Sequence, residues 1–254
     1  MPRPPHRQAD TPTPSRAIGP RSQVLRRARL IAAHHRAASS DRALALILAA
    51  IAGSANAGGF ILLGSYTSHM TGYLSAIADN LVLQNLALVG QSLLAISLFI
   101  CGAASSAIVI NWGRAHKPTH QYSLPIGLQG ALLAALAALG ATPLPEAIAH
   151  PLSLGLLCFI MGLQNATITK ISYARIRTTH ATGMITDVGI ELGRAVYGRA
   201  FHAPIHADRA KLGILLQLLG TFLLGGIIGA LGYGLIGFAF SLPLAAILLT
   251  LALL

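Results

Sequence analysis

The sequence predicts an all-α, polytopic integral membrane protein with about six transmembrane helices. Hydrophobic residues make up 54% of the chain and charged residues only 10%, whereas a soluble domain carries about 25% charged residues. The apolar residues are gathered into runs of about 20, the length that crosses about 30 Å of hydrocarbon. After residue 42, Arg and Lys fall in alternate connections between these runs, with Lys170 at the end of the fourth run beside such a connection, as the positive-inside rule expects.

The first forty residues form a separate region. Residues 1–40 are rich in Pro, Arg, Ser and Thr and contain a single acid, Asp10. Such a segment cannot bury a core, so we predict a disordered, basic cytoplasmic tail, which anionic lipid headgroups would attract. An Arg-rich, acid-poor start is also typical of organelle transit peptides. The transmembrane domain is expected over residues 41–254.

The apolar runs predict the spans and their connections. Six runs have the length of a span: 43–63, 86–110, 122–141, 152–171, 212–231 and 235–254. Pro151 marks the connection before the fourth run, and Gly232-Tyr233-Gly234 predicts a tight hairpin between the last two.

The basic residues predict the orientation. With a cytoplasmic amino terminus, the connection 111–121 lies inside and carries Arg114 and Lys117, and the connection 172–211 lies inside with six more basic residues. The remaining connections, which would lie outside, contain no Lys or Arg: 64–85, 142–151 and 232–234. Both termini are therefore predicted to be cytoplasmic.

A short internal repeat links the two halves of the chain. GSANA at 53–57 matches GLQNA at 162–166, and SHMTG at 68–72 matches THATG at 179–183. Three spans separate the copies, and an odd number gives them opposite orientations. We therefore predict a 3+3 inverted repeat, with repeat 1 at about 43–141 and repeat 2 at about 152–254. Broken or re-entrant segments are expected at the matched motifs, as in many secondary transporters.

Several stretches resemble a known family. NAGGF at 56–60, YTSHMTG at 66–72, ADNL at 78–81 and the long motif at 161–194 resemble the YoaK family of bacterial inner-membrane proteins. The resemblance covers about 43–254 and implies a multi-span inner-membrane protein. It implies no established substrate or catalytic residue. Many relatives carry Asp followed by Ala where this chain has Asn56, a difference that removes a potential intramembrane charge and speaks against proton coupling there.

The polar residues of the two motifs are the candidates for function. Asn56, Asn165 and Gln164 fall inside predicted spans, where amides either line a polar site or join two helices. His69 and His180 precede Thr-Gly turns that suit helix starts, and exposed N–H groups at such starts attract anions. The alternative is that both histidines anchor the chain at the membrane interface.

Charged residues near the second motif supply further candidates. Arg177 and Thr179 form a basic, hydroxyl-rich approach to His180, which suits an anion or a lipid headgroup or acts only as a cytoplasmic anchor. Lys170 either snorkels to the interface or pairs with Asp187 or Glu191. Glu191 and Arg194 are three residues apart and are expected to pair. The complete candidate substrate-binding set is Asn56, His69, Thr71, Gln164, Asn165, Thr169, Lys170, Arg177, Thr179, His180, Thr182, Asp187 and Glu191.

These features favour a small transporter or permease for a small polar or anionic solute. The alternatives are a membrane scaffold or sensor subunit that transports nothing, and an intramembrane enzyme acting on a lipid-linked substrate. No motif of a hydrolase, metalloprotease or phosphate-binding loop is present, so we expect no enzyme, catalytic residue, cofactor or metal. The expected partners are the bilayer, anionic lipid and an unknown small molecule or ion, with a homo-oligomer left open and no nucleic acid.

Overall fold

The computed structural model describes residues 38–171, 181–202 and 204–253 and is all-helical over them. Eight α-helices follow one another, and we number them in chain order. They are α1 Ala38–Leu63, α2 Met70–Val82, α3 Leu86–His116, α4 Ser123–Gly140, α5 Glu146–Ile171, α6 Ala181–Ala200, α7 Arg209–Ile236 and α8 Ser241–Leu253. Short 3₁₀ segments, Pro118–His120 and Gly237–Phe240, precede α4 and α8.

Within the described residues, five helical stretches are long and apolar enough to cross a membrane. They are Arg42–Leu63, Leu86–His116, Ser123–Gly140, Glu146–Ile171 and Arg209–Leu253. The last stretch contains 45 residues, which at about 1.5 Å per residue is twice the thickness of the hydrocarbon layer. Because it bends at the 3₁₀ segment, it supplies two helices, in agreement with the predicted number of about six.

The helix order repeats after α4. A long helix, a short helix, a second long helix, a 3₁₀ segment and a further helix occur twice in succession. Helices α1 and α5 each contain 26 residues, and α3 and α7 contain 31 and 28. Each half thus has three spanning helices, as predicted, and one extra helix. These extra helices, α2 and α6, occupy parts of the connections 64–85 and 172–211.

Helix packing shows that the two halves are inverted. Helix α1 packs most extensively on α7, and α3 on α5. Contacts between α1 and α7 advance in the same direction along both: Arg42 with Gln217, Ala50 with Gly225, and Ser54 with Gly229. These two helices are therefore parallel, whereas α4 and α8 are antiparallel, since Gly127 meets Ala252 and Gly140 meets Phe238.

The parallel pairs cross at glycines. A Cβ atom on Gly53 would lie 2.9 Å from the carbonyl carbon of Phe222. A Cβ atom on Gly162 would lie 2.8 Å from the carbonyl carbon of Phe99, its counterpart in the other half. Only glycine permits so close a backbone approach. The same contact therefore joins the two halves twice and places α1 and α5 in the centre of the protein.

The described basic residues lie at one face of the helix bundle. All the described Lys and Arg side chains lie on or directly beside the ends of α3 and α5, the starts of α1 and α7, and helix α6. The opposite face has none among the described residues. This separation agrees with the charge asymmetry predicted from the connections.

The predicted hairpin at Gly232-Tyr233-Gly234 is wrong, because α7 continues through it to Ile236. The chain instead turns at Gly237, which has a φ of 59°, a value that glycine adopts without strain. Phe240 folds back against Gly232, and the Tyr233 hydroxyl lies 2.9 Å from the Ser241 hydroxyl. The prediction from Pro151 is also wrong, since α5 begins five residues before this proline.

Candidate functional site

A cavity of about 520 Å³ lies between the two inverted halves. Three pairs of residues from equivalent positions line it: Asn56 with Asn165, Thr71 with Thr182, and Phe99 with Phe222. Each half therefore contributes an amide from its first helix, a threonine from its short helix and a phenylalanine from its second long helix. The cavity therefore lies where equivalent positions of the two halves meet.

The positions of Thr71 and Thr182 show that both motifs reach inward. The connections that contain them follow α1 and α5, which run in opposite directions, so each connection starts from its own face of the membrane. Both threonines nevertheless line one cavity. The starts of α2 and α6 therefore meet at one cavity although α1 and α5 end at opposite faces, in agreement with the re-entrant arrangement expected from the inverted repeat.

A pair of hydrogen bonds orients Asn56. Its Oδ1 accepts from the backbone N–H of Ser68 and from the Ser68 hydroxyl, both at 3.1 Å. A backbone N–H can only donate, so the atom facing it must be the amide oxygen. The amide NH₂ group of Asn56 is then the part left without a protein partner among the described residues.

Asn165 occupies the matching place on α5 and is 8% exposed. Its backbone carbonyl accepts a hydrogen bond from the Thr169 hydroxyl at 2.7 Å; Thr169 bonds within its own helix and is not among the residues that line the cavity. The sequence repeat aligns Ser68 with Thr179. Thr179, Arg177 and His180 lie outside the described residues.

The start of α2 borders the cavity without a side-chain cap. His69 is the residue before α2, and its side chain makes no capping hydrogen bond. Its ring lies against Gly72, where a Cβ atom would be 2.6 Å from Nε2. The first turn of α2 at Met70 and Thr71, and the first turn of α6 at Thr182, line the cavity.

Gln164 lies beside Asn165 but serves a different purpose. It is fully buried. Its Oε1 accepts from Gln129 Nε2 at 2.6 Å, and its Nε2 donates to the Leu48 carbonyl at 2.6 Å. Gln164 therefore joins α5 to α4 and α1 and does not line the cavity. Of the two possible roles for an amide in a span, Gln164 shows the helix-joining one.

Of the two alternatives for Lys170, the ion pair with Asp187 or Glu191 is not the one that the structure shows. Lys211 Nζ lies 3.5 Å from both Asp187 Oδ2 and Glu191 Oε1, and Arg194 pairs with Glu191 at 3.1 Å. Lys170 is exposed and has no ion pair among the described residues. The expected pairing of Glu191 with Arg194 is confirmed. The acidic residues of α6 pair with Lys211 because the start of α7 packs against α6.

Glu191 holds the junction between α6 and α7. Its Oε2 accepts from the backbone N–H of Asp208, the residue before α7, at 2.9 Å, while the Asp208 side chain caps the helix by accepting from Lys211 N. The Asp208 N–H, with Arg194 and Lys211, holds the pKa of Glu191 below its usual value. Asp187 and Glu191 belong to this junction and not to the lining of the cavity.

Sequence reasoning missed the two phenylalanines. Phe99 and Phe222 belong to a Phe-x-x-Gly motif that occurs at 99–102 and again at 222–225. Gly102 and Gly225 take part in the helix crossings that also involve Gly162 and Gly53. This motif was a usable signal, but it lies within apolar runs, where a phenylalanine resembles any other lipid-facing residue.

A second hollow, of about 600 Å³, lies elsewhere. It is an open groove between the starts of α3 and α5, bordered by Gln91, Glu146 and His150. His150 Nε2 lies 3.1 Å from the carbonyl of Leu63 at the end of α1. Its described lining comes from α3 of the first half and α5 of the second, and it contains no pair of equivalent positions. Among the described residues, no cluster of His, Cys, Asp or Glu could hold a metal ion.

Comparison with known proteins is informative only at the level of the family. No curated protein and no solved structure matches the chain. Residues 44–254 match a family described as a protein of unknown function, DUF1275. This match covers the whole helical bundle from α1 onward. The chain therefore belongs to the DUF1275 family.

Proposed function

We propose that this protein is a small membrane transporter or permease that moves a small polar or anionic solute through its central cavity. The observation that carries the proposal is the cavity itself. It lies between two inverted halves and is lined by equivalent polar residues from both. A site at the interface of inverted repeats serves alternating access, since each half in turn can open the site to its own face.

The orientation follows from the charge asymmetry. In this proposal the face that carries the described Lys and Arg residues is the cytoplasmic face of a bacterial inner membrane, and both termini lie on the cytoplasmic side. Segment 64–69 and α2 then approach the cavity from the outer face, and α6 approaches it from the cytoplasmic face. We propose no enzymatic activity, and anionic lipid near the basic face is the expected lipid contact.

Flux into proteoliposomes tests the proposal. The purified full-length chain would be reconstituted, and uptake of a panel of small polar solutes would be followed with radiolabelled compounds. We expect saturable uptake of at least one solute above protein-free vesicles. Absence of flux across the panel, with the protein monodisperse and folded, would count against transport and favour the scaffold or sensor alternative.

The variant Asn165→Leu, compared with a control variant, tests whether the cavity carries the solute. Asn165 lines the cavity, and we expect its replacement to reduce uptake at least tenfold, a loss of about 1.4 kcal/mol. Asn80→Leu is the control, because Asn80 on α2 donates to the carbonyl of Ala76 in its own helix and does not line the cavity. Equal losses of uptake or of expression in both variants would indicate that Asn165 serves only to hold helices together.

A further inference from the structure

We infer that the occupant of the central cavity is a small organic carboxylate, bound through its charged oxygens to N–H groups and through its apolar part to aromatic rings. This inference rests on the proposed function, because it assigns a solute class to the same cavity. It separates three classes that the proposed function leaves together: anionic, neutral and cationic solutes.

The first argument is the fixed orientation of the Asn56 amide. The Ser68 N–H and hydroxyl both contact Oδ1, at 3.1 Å. Turning the amide around would bring the NH₂ group against the Ser68 N–H, two donors facing each other. The NH₂ group is therefore the only polar part of this side chain that can bind a ligand. A group that can only donate selects an acceptor, and a carboxylate is the strongest common acceptor.

The second argument is the charge of the surrounding residues. Among the described residues that line the cavity there is no Asp and no Glu. A cationic solute in a membrane interior needs a carboxylate or a set of carbonyl oxygens as partner. The polar side-chain groups found here are instead the Asn56 NH₂ group, the uncharged Asn165 amide, hydroxyl groups and the His69 ring. These groups suit a negative charge better than a positive one.

The two short helices add to this preference. Both α2 and α6 begin at the cavity, and the side chain of His69 leaves the start of α2 uncapped. The first N–H groups of a helix carry no intrahelical partner and a partial positive charge. Here they reinforce a donor site that Asn56 already establishes.

The third argument is the size and the apolar wall. A cavity of about 520 Å³ is far larger than a halide or a single water needs and lies within the range for organic ligands. Phe99 and Phe222 line it from opposite halves, and Tyr66 and Met70 also belong to the lining. A solute with an apolar body fits between these side chains while its carboxylate meets the amide.

Binding of matched probes tests the inference. Benzoate, benzamide and benzamidinium share one ring and one shape and differ in charge, and butyrate with butyramide forms a second pair. Dissociation constants would be measured by calorimetry on the full-length protein in lipid nanodiscs at neutral pH. We expect each carboxylate to bind about tenfold more tightly than its amide, because charge-assisted hydrogen bonds are roughly twice as strong as neutral ones. Benzamidinium should bind most weakly.

Asn56→Asp provides the decisive variant. It keeps the oxygen that accepts from Ser68 and the shape of the side chain, but it replaces the NH₂ group with a negative oxygen. Carboxylate affinity should fall at least about tenfold from like-charge repulsion, while amide affinity changes little. Asn85→Asp is the control: Asn85 caps α3 by accepting from Leu88 N–H, and Asp caps helices equally well.

The outcomes separate this inference from the proposed function. Tighter binding of benzamidinium, an amide that binds as well as its carboxylate, or an Asn56→Asp variant with unchanged benzoate affinity each overturns the carboxylate assignment. Carboxylate binding without any flux would leave this inference standing and remove the transporter. Flux of neutral solutes without carboxylate binding would do the reverse.

Discussion

The glycine crossings permit a sharp test, because neighbouring glycines on α7 differ in their surroundings. A Cβ atom on Gly225 would lie 2.7 Å from the carbonyl carbon of Ala50 on α1. A Cβ atom on Gly226 would lie 3.7 Å from its nearest neighbour, the carbonyl oxygen of Gly53. Carbon atoms pack best at about 3.5–4.0 Å. Gly225→Ala would therefore increase the distance between α1 and α7 by about 1 Å. The methyl group of Gly226→Ala fits the existing space.

The expected energies follow from these distances. Gly225→Ala should destabilise the protein by about 1–3 kcal/mol, the usual cost of overpacking. The atoms that the new methyl group would displace belong to the rigid backbone of α1. Gly226→Ala should be neutral or stabilising by up to about 1 kcal/mol, since alanine is the better helix former. For a domain of this size, about 1 kcal/mol shifts Tm by about 2–4 °C.

Thermal unfolding of the two purified variants in detergent, followed by size-exclusion fluorescence, is the assay. Gly225→Ala should lower Tm by about 2–12 °C, and Gly226→Ala should not lower it. A Cβ atom on Gly102, the counterpart of Gly225 in the other half, would lie 2.8 Å from the carbonyl carbon of Phe159, so Gly102→Ala should behave like Gly225→Ala. Equal Tm values for Gly225→Ala and Gly226→Ala would refute the close crossing.

Three further predictions concern stability and topology. The folded-state pKa of Glu191 lies below the ordinary 4.5. Its contribution to stability is therefore present above that pH and is lost as the pH falls through the lowered pKa. Glu191→Gln should flatten this part of the curve of Tm against pH. Gln164→Leu leaves the Gln129 amide and the Leu48 carbonyl without their buried partner and should cost about 1–3 kcal/mol, which Gln129→Leu in the same chain should partly restore. Single cysteines at Gln84 and His202, in an otherwise cysteine-free chain, should react with a membrane-impermeant thiol reagent from opposite faces, and labelling from the same face would contradict the inverted repeat.

The sequence located the polar centre of the protein because its two copies share Asn-Ala and His-x-Thr-Gly there. Asn56 and Asn165 stand in matching motifs, and polar residues inside apolar runs attract attention since their burial is costly. Thr71 and Thr182 were placed by the same motif. The structure brings all four to one cavity, which is a test of three-dimensional proximity that the sequence alone could not supply.

Other parts were hidden for physical reasons. Phe99 and Phe222 lie in spans where lipid-facing and cavity-facing apolar residues have the same composition. Helix α2 is short and mixed in character, so the region 64–85 looked like a connection. The hairpin was misplaced because Gly232 makes room for the Phe240 ring and does not form a turn. The sequence around a glycine does not show which of these two roles it has.

The two halves agree at the cavity and differ at their outer ends. The N–H of Asn85, before α3, is held by the backbone carbonyl of Asn80 on α2 at 2.9 Å. In the other half the N–H of Asp208, before α7, is held by the carboxylate of Glu191, the residue that the repeat aligns with Asn80. The N–H before the second long helix is thus bound by a neutral group at one face and by a member of a charged cluster at the other. Equivalent surface residues of inverted copies lie on opposite sides of the membrane, so they face different surroundings and differ in chemistry. A site inside the membrane that both copies share requires the same residues from each. The residues that both halves retain, Asn, Thr and Phe, are therefore those on which the function should depend.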